Sequence, residues 1–162
     1  MKHKSQILNI IQDNARLSDQ SISEMLSISE DEVRATRETL EKQGVIIRYE
    51  TVINPNHTES PPHVRALIEL SVRPEKSDGY DAVAKKISKN EFVIDHYLVS
   101  GNYDFLIIME GRSLKQISDF VSELASMKNT SKTATHVVLK TYKKNGLEVH
   151  SPKQESRLPI SP

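Results

Sequence analysis

Cysteine and tryptophan are missing from this chain of 162 residues, and aromatic residues make up only 5% of it. Without cysteine there is no disulfide framework, no thiolate nucleophile and no cysteine metal site. The opening MKHKSQIL lacks the apolar stretch of a signal peptide. No run approaches the roughly 18 apolar residues of a membrane span. Six histidines show no metal-ligand spacing. No glycine-rich phosphate loop, G-x-S-x-G elbow or H-E-x-x-H is present, and the acids are scattered over helix surfaces. An excess of either charge is lacking too, with 22 Lys/Arg against 22 Asp/Glu. The expectation is a soluble, cytoplasmic protein with no catalytic constellation, no metal, no cofactor and no membrane contact.

What is present starts with the stretch from Ser18 to Ile46. Ser18 suits a helix N-cap, because its hydroxyl can accept from a free backbone N–H. Ile22, Met25 and Leu26 then recur at helical spacing. Ser27-Ile28-Ser29 interrupts the pattern. Ser29 with Glu32 reads as a capping box. Val33, Thr36 and Leu40 mark the inward face of the next helix, and Gly44 stands where a left-handed C-cap is wanted. Two capped helices joined by about three residues form a helix-turn-helix, whose second helix enters the DNA major groove.

A further helix from Lys4 to Asn14, striped with Ile7, Leu8, Ile10 and Ile11, completes a three-helix cluster. Residues 46–53 (IIRYETVI) are rich in β-branched residues and read as a wing strand. Residues 1–53 are thus expected to be a winged helix-turn-helix domain. Residues 54–63 (NPNHTESPPH) are polar and proline-rich, which marks a linker.

Beyond the linker the pattern changes to period two. Val64, Ala66, Ile68, Leu70 and Val72 alternate with Arg65, Leu67, Glu69, Ser71 and Arg73, a half-buried strand. Tyr80, Val83, Ala84 and Ile87 define an amphipathic helix. Residues 92–100 and 103–110 read as two strands joined by a tight hairpin turn at Gly101-Asn102. Ser113 and Gln116 form another capping box, ahead of a helix burying Leu114, Ile117, Phe120, Val121 and Leu124. A fourth strand spans residues 133–142. Strand-helix-strand-strand-helix-strand over residues 64–142 is a ferredoxin-like βαββαβ domain, so the fold class is α+β. Both helices must cover one sheet face. The apolar residues of the other face invite a second copy, giving a symmetric dimer. Residues 143–162 are expected to be a flexible tail, with one short strand near Leu147.

A helix-turn-helix followed by one split βαβ domain resembles the Lrp/AsnC, or feast/famine, transcription regulators. SISEDEVRATRETLEKQGVI resembles that family's recognition helix and its exit. VSGNYDFLIIMEG resembles its hairpin, and THVVLKTYK its closing strand. The similarity covers roughly residues 3–143. It implies double-stranded DNA as a partner, homodimers assembling into tetramers or octamers, and a small effector, often an amino acid, held between subunits.

On that footing Arg34, facing out, could read guanine through a bidentate pair, while Arg37 could hold a phosphate. The alternative for both is pairing with Glu30 or Glu41 on the helix surface. Ser29 could touch phosphate as well as cap its helix, and Arg48 completes the cationic set. Gly101, Asn102, Tyr103 and Asp104 are the effector candidates. Backbone N–H groups in a glycine turn can take a carboxylate, and Asp104 could accept from an ammonium group; the alternative is a plain hairpin turn. The resemblance adds Thr133 and Thr135 from another subunit.

One feature opposes strong DNA binding. Residues 1–53 carry seven Lys/Arg against nine Asp/Glu, whereas affinity for DNA rests largely on cations replacing phosphate counterions. Specific binding therefore needs several heads acting together. Two rival readings follow: a metabolite-sensing oligomer without DNA binding, and an enzyme resembling the sirohaem decarboxylases of the same architecture. The second would need His96 and His136 to meet in space.

Overall fold

The computed structural model describes residues 3–54, 63–73 and 79–149. The chain divides into two compact units, Met1–Ile53 and Asn54–Pro162. The linker expected at 54–63 lies, apart from its ends, outside the described residues.

The first unit holds three helices: α1 (Lys4–Asp13), α2 (Asp19–Leu26) and α3 (Glu30–Lys42). Their boundaries follow from local chemistry. Ser18 Oγ accepts from Ser21 N at 3.1 Å and Ser29 Oγ from Glu32 N at 3.2 Å, each satisfying a backbone donor that a helix start leaves without a partner. α3 ends at Gly44, whose φ of +67° turns the chain so that Val45 N and Ile46 N both reach the Leu40 carbonyl, at 2.9 and 3.1 Å. Ile7, Ile11, Ile22 and Val33 close the core, with Leu17, Leu26, Ile28 and Ile46 packed against them. Met25, expected on the inward side, is exposed.

The wing strand does not form. Residues 46–53 carry no strand, and Ile47 is 90% exposed. β-branched residues suit a pleated surface, but a strand needs a partner for its backbone groups. No described residue of this unit offers one.

The second unit contains β1 (Val64–Val72), α4 (Asp81–Ile87), β2 (Val93–Leu98), β3 (Phe105–Gly111), α5 (Leu114–Ser126) and β4 (Thr130–Val137). The strand order β2-β3-β1-β4 is antiparallel throughout, the ferredoxin-like arrangement. Ala66, Ile68, Leu70, Phe105, Ile107 and Met109 point toward α4 and α5 and meet Val83, Ile87, Ile117, Phe120 and Leu124. Leu67, Leu106 and Ile108 lie on the opposite face, where Leu67 stands directly across from Ile108. They are half-buried, and no described element covers that face.

Several boundaries shift. Leu114 begins α5 at 60% exposure instead of joining its buried face. At that helix start, Ser113 caps Gln116 N as expected, while the Gln116 side chain reaches back to Arg112 N at 2.7 Å. β4 runs from Thr130 to Val137, earlier than expected, because its register is set by pairing with β1. The β2–β3 connection is a wide loop spanning Val99 to Asp104, closed by Val99 N donating to Asp104 O at 2.8 Å, and not a two-residue turn. Residues 143–149 are not a loose tail. Lys143–Lys144 (β5) pairs with Leu147–Glu148 (β6) across Asn145 and Gly146, both at positive φ (48° and 82°), the backbone that Asn-Gly favours in a hairpin. Val149 is then buried, and its carbonyl accepts from Asn54 Nδ2 at 3.2 Å. The tail beyond it lies outside the described residues.

Candidate DNA-reading and effector sites

α3 turns Val33, Thr36 and Leu40 inward, which leaves Arg34, Ala35 and Glu38 exposed on its outer side. Arg34 is 52% exposed and ringed by carboxylates: Glu30 Oε1 at 2.6 Å, Asp31 Oδ1 at 3.4 Å and Asp19 Oδ2 at 3.9 Å. Exposed pairs of this kind are worth about 0.2–1 kcal/mol each, so a phosphate or guanine can displace them. Ser29 sits at the start of the same helix, its hydroxyl engaged in the cap. Arg48, exposed, pairs with Glu50 at 3.1 Å.

Arg37 is placed differently. Its side chain is 17% exposed, with Nε 2.9 Å from Asp19 Oδ1 and Nη2 donating to the Leu17 carbonyl at 3.2 Å. The Nε contact is an ion pair without a well-directed hydrogen bond.

In the second unit the loop after β2 brings Asn102 and Tyr103 to a hollow of about 160 Å³, lined also by Glu69, Ser71, Lys132 and Ala134. It opens on the sheet face away from the helices. Both charge signs stand on its wall, and Glu69 Oε1 also lies 3.2 Å from His136 Nε2. Thr133 and Thr135 do not join it. They pair with Leu70 and Ile68, so their side chains share the helix-facing side, while Lys132 and Ala134 point to the hollow. Asp104 does not join it either. Its carboxylate accepts from Val72 N at 2.8 Å and from the Tyr80 hydroxyl at 3.0 Å. That second bond raises the Tyr80 hydroxyl pKa above its ordinary 10.0, with smaller contributions from desolvation and the Asp104 charge. Gly101 holds a φ of +135°, a backbone suited to glycine.

Glu69, Ser71 and Lys132 were not anticipated. The alternation along β1 already set Glu69 and Ser71 on one face, but Lys132 needed the register of β4. A larger hollow, about 310 Å³ between α4 and α5, contains none of the expected residues. His96 and His136 stand on the two edge strands and on opposite faces of the sheet, so a paired-histidine enzymatic site does not assemble within the chain. Among the described residues no group of three or more His, Cys, Asp or Glu could hold a metal, and no helix is long and apolar enough to cross a membrane.

A helix-turn-helix head followed by a ferredoxin-like sheet with one bare face defines a DNA-binding regulator with a separate sensing unit. Two family models match the chain in that order: a winged helix-turn-helix DNA-binding model over residues 2–47, and the Lrp/AsnC ligand binding domain over residues 65–147. An uncharacterized HTH-type transcriptional regulator of Bacillus subtilis, YugG, is 32% identical over 98% of this chain and 96% of its own. The leucine-responsive regulatory protein of Haemophilus influenzae is 26% identical over 88% and 86%. Among solved structures, a Neisseria meningitidis transcriptional regulator in complex with L-Met superposes with a TM-score of 0.70 at 24% identity, over 92% of this chain and 96% of that one. E. coli AsnC gives 0.67 at 18%, over 91% and 97%. The chain belongs to the Lrp/AsnC family: it is a helix-turn-helix transcriptional regulator with a ligand-binding domain, and its relatives are named as regulators and not as enzymes.

Proposed function

We propose that this regulator works in the cytoplasm as a homodimer that assembles further into tetramers or octamers, with Arg34 as its main base-reading side chain. The observation that carries the DNA part is an N-capped α3 presenting Arg34 outward at 52% exposure. Ser29 and Arg48 lie on the same unit and serve the phosphates. The bare sheet face centred on Leu67, Leu106 and Ile108 supports pairing with a second copy.

The effector is a small amino acid, held where Asn102 and Tyr103 meet Glu69, Ser71 and Lys132. A carboxylate and an ammonium on one wall suit a zwitterion, and Gly101 lets the loop backbone approach it. Asp104 shapes the loop.

Gel retardation with the protein's own upstream DNA, at stated salt, tests the first part. A retarded band is expected, weakened by about 1–3 kcal/mol in Arg34→Ala. No band at any low salt concentration would overturn it. For the second part, thermal shifts are measured with the 20 common amino acids. Lys132→Ala should abolish any shift, and an intact shift removes the hollow from the account.

A further inference from the structure

Arg37 stands at a junction of three segments. Asp19, its ionic partner at 2.9 Å, is the first residue of α2. Leu17, whose carbonyl takes the Nη2 hydrogen at 3.2 Å, belongs to the chain entering α2. Tyr49, whose ring centroid lies 5.8 Å from the guanidinium, belongs to the chain leaving the head. The Tyr49 hydroxyl in turn donates to Glu41 Oε1, a turn further along α3, at 2.8 Å. With Val33, Thr36 and Leu40, Arg37 completes the i, i+3, i+4, i+7 stripe that a helix turns toward its neighbours.

The planar fork of an arginine can serve several acceptors at once while its face lies on a ring. Here those acceptors are all inside the head. To bind phosphate, Arg37 would have to abandon a carboxylate that is itself only 22% exposed. Breaking one side of such a shielded pair leaves a charge without compensation. Arg34, 52% exposed with partners on its own helix and at 3.9 Å from Asp19, carries no such obligation.

We infer that Arg37 is a positioning residue, which fixes the recognition helix against the start of α2 and against the chain leaving the head, and that it makes no contact with DNA.

The test is a double-mutant cycle read by equilibrium DNA binding across a salt series, on the full-length protein. The variants are Arg37→Met, Asp19→Asn and both together, with Arg37→Lys alongside. Asp19 also lies near Arg34, so its effect is compared in the two backgrounds, parent and Arg37→Met. For a positioning role, Arg37→Met weakens binding about tenfold, the equivalent of one charge-assisted hydrogen bond, and the salt slope stays unchanged. Asp19→Asn is then more harmful in the parent than in the Arg37→Met background. Arg37→Lys fails like Arg37→Met, because one ammonium cannot replace the fork. For a phosphate contact, Arg37→Met lowers the slope by about 0.9 and Arg37→Lys restores it. Asp19→Asn would then strengthen binding only where Arg37 remains. Either of those last results overturns the inference, as does an Asp19→Asn effect equal in both backgrounds. If Arg37→Met does not fold, Arg37→Lys and Asp19→Asn still decide the matter through slope and sign.

Discussion

Replacing Asp104 with alanine removes two hydrogen bonds to a charged acceptor, from Val72 N and from the Tyr80 hydroxyl. Bonds of that type contribute about 1.5–3 kcal/mol each, and a buried donor left without a partner adds to the loss. Val72 is 6% exposed, so its N–H has poor access to water; the Tyr80 hydroxyl can rebond to water. The expected total is therefore about 2–4 kcal/mol. In a domain of this size one kcal/mol moves the melting temperature by roughly 4–8 °C. A fall of about 10–25 °C is expected in circular dichroism melts at fixed protein concentration. Asp104→Asn, which keeps an acceptor and the side-chain shape, should lose about half as much. A melting temperature within about 3 °C of the parent for Asp104→Ala would refute the reasoning, because a tie of this kind between β1, the loop and the start of α4 cannot be lost so cheaply. The linked pH effect has a definite sign. Tyr80 is raised above 10.0, led by its hydrogen bond to Asp104. The protonated hydroxyl is thus favoured in the fold, and its stabilisation holds below pH 10 and disappears as pH climbs through the raised value. Tyr80→Phe should flatten that alkaline limb.

Other perturbations follow from the same geometry. Ile108→Glu places a charge at the centre of the bare sheet face, and analytical ultracentrifugation should show loss of the proposed dimer while the far-UV spectrum is retained. His96, set against Phe105 with ring centroids 4.8 Å apart, has its pKa lowered by desolvation. Its contribution to stability is full above pH 6.5 and fades as pH falls through the lowered value; His96→Leu should remove that acid dependence in urea titrations, and an unchanged profile would count against the assignment. Gly44→Ala, at φ +67°, should cost about 1 kcal/mol in the same titrations, and a neutral result would mean that α3 does not end in this turn.

What could be read from the residues alone was the chemistry that acts over a few positions. Ser18, Ser29 and Ser113 all cap as their spacing suggested, because a hydroxyl and an N–H three residues on meet whatever the rest of the chain does. The alternation from Val64 to Val72 placed the core face of β1 correctly for a similar reason. Errors arose where distant partners decide. Residues 46–53 had strand-forming side chains but, among the described residues of their unit, no strand to pair with. β4 begins where β1 lets it pair, which no local pattern discloses. The packing of Arg37 was a legible feature that its charge obscured: four residues after Val33, it stands on the inward stripe and pairs with Asp19. Asn145-Gly146 was a second, a strong hairpin signal standing in a stretch whose composition suggests a tail.

The head's own electrostatics bear on how regulation works. Arg34, Arg37, Lys42 and Arg48 each lie within 4 Å of a carboxylate of the same unit, and the unit carries more acids than bases. A lone head therefore gains little by releasing phosphate counterions. In the proposed dimer, binding draws on the second head, whose effective concentration depends on how the two are held. An effector that prefers one assembly over another changes that concentration without touching α3, and it can do so only by the difference in its affinity for the two assemblies. Charge-neutralising substitutions on α3 that leave its cap and core intact, such as Glu38→Gln, should raise single-head affinity. They should also blunt the effector response in a titration on a two-site operator, since DNA binding would then depend less on having both heads in register. Stronger binding with an undiminished effector response would show that the effector acts on the heads themselves and not on their spacing.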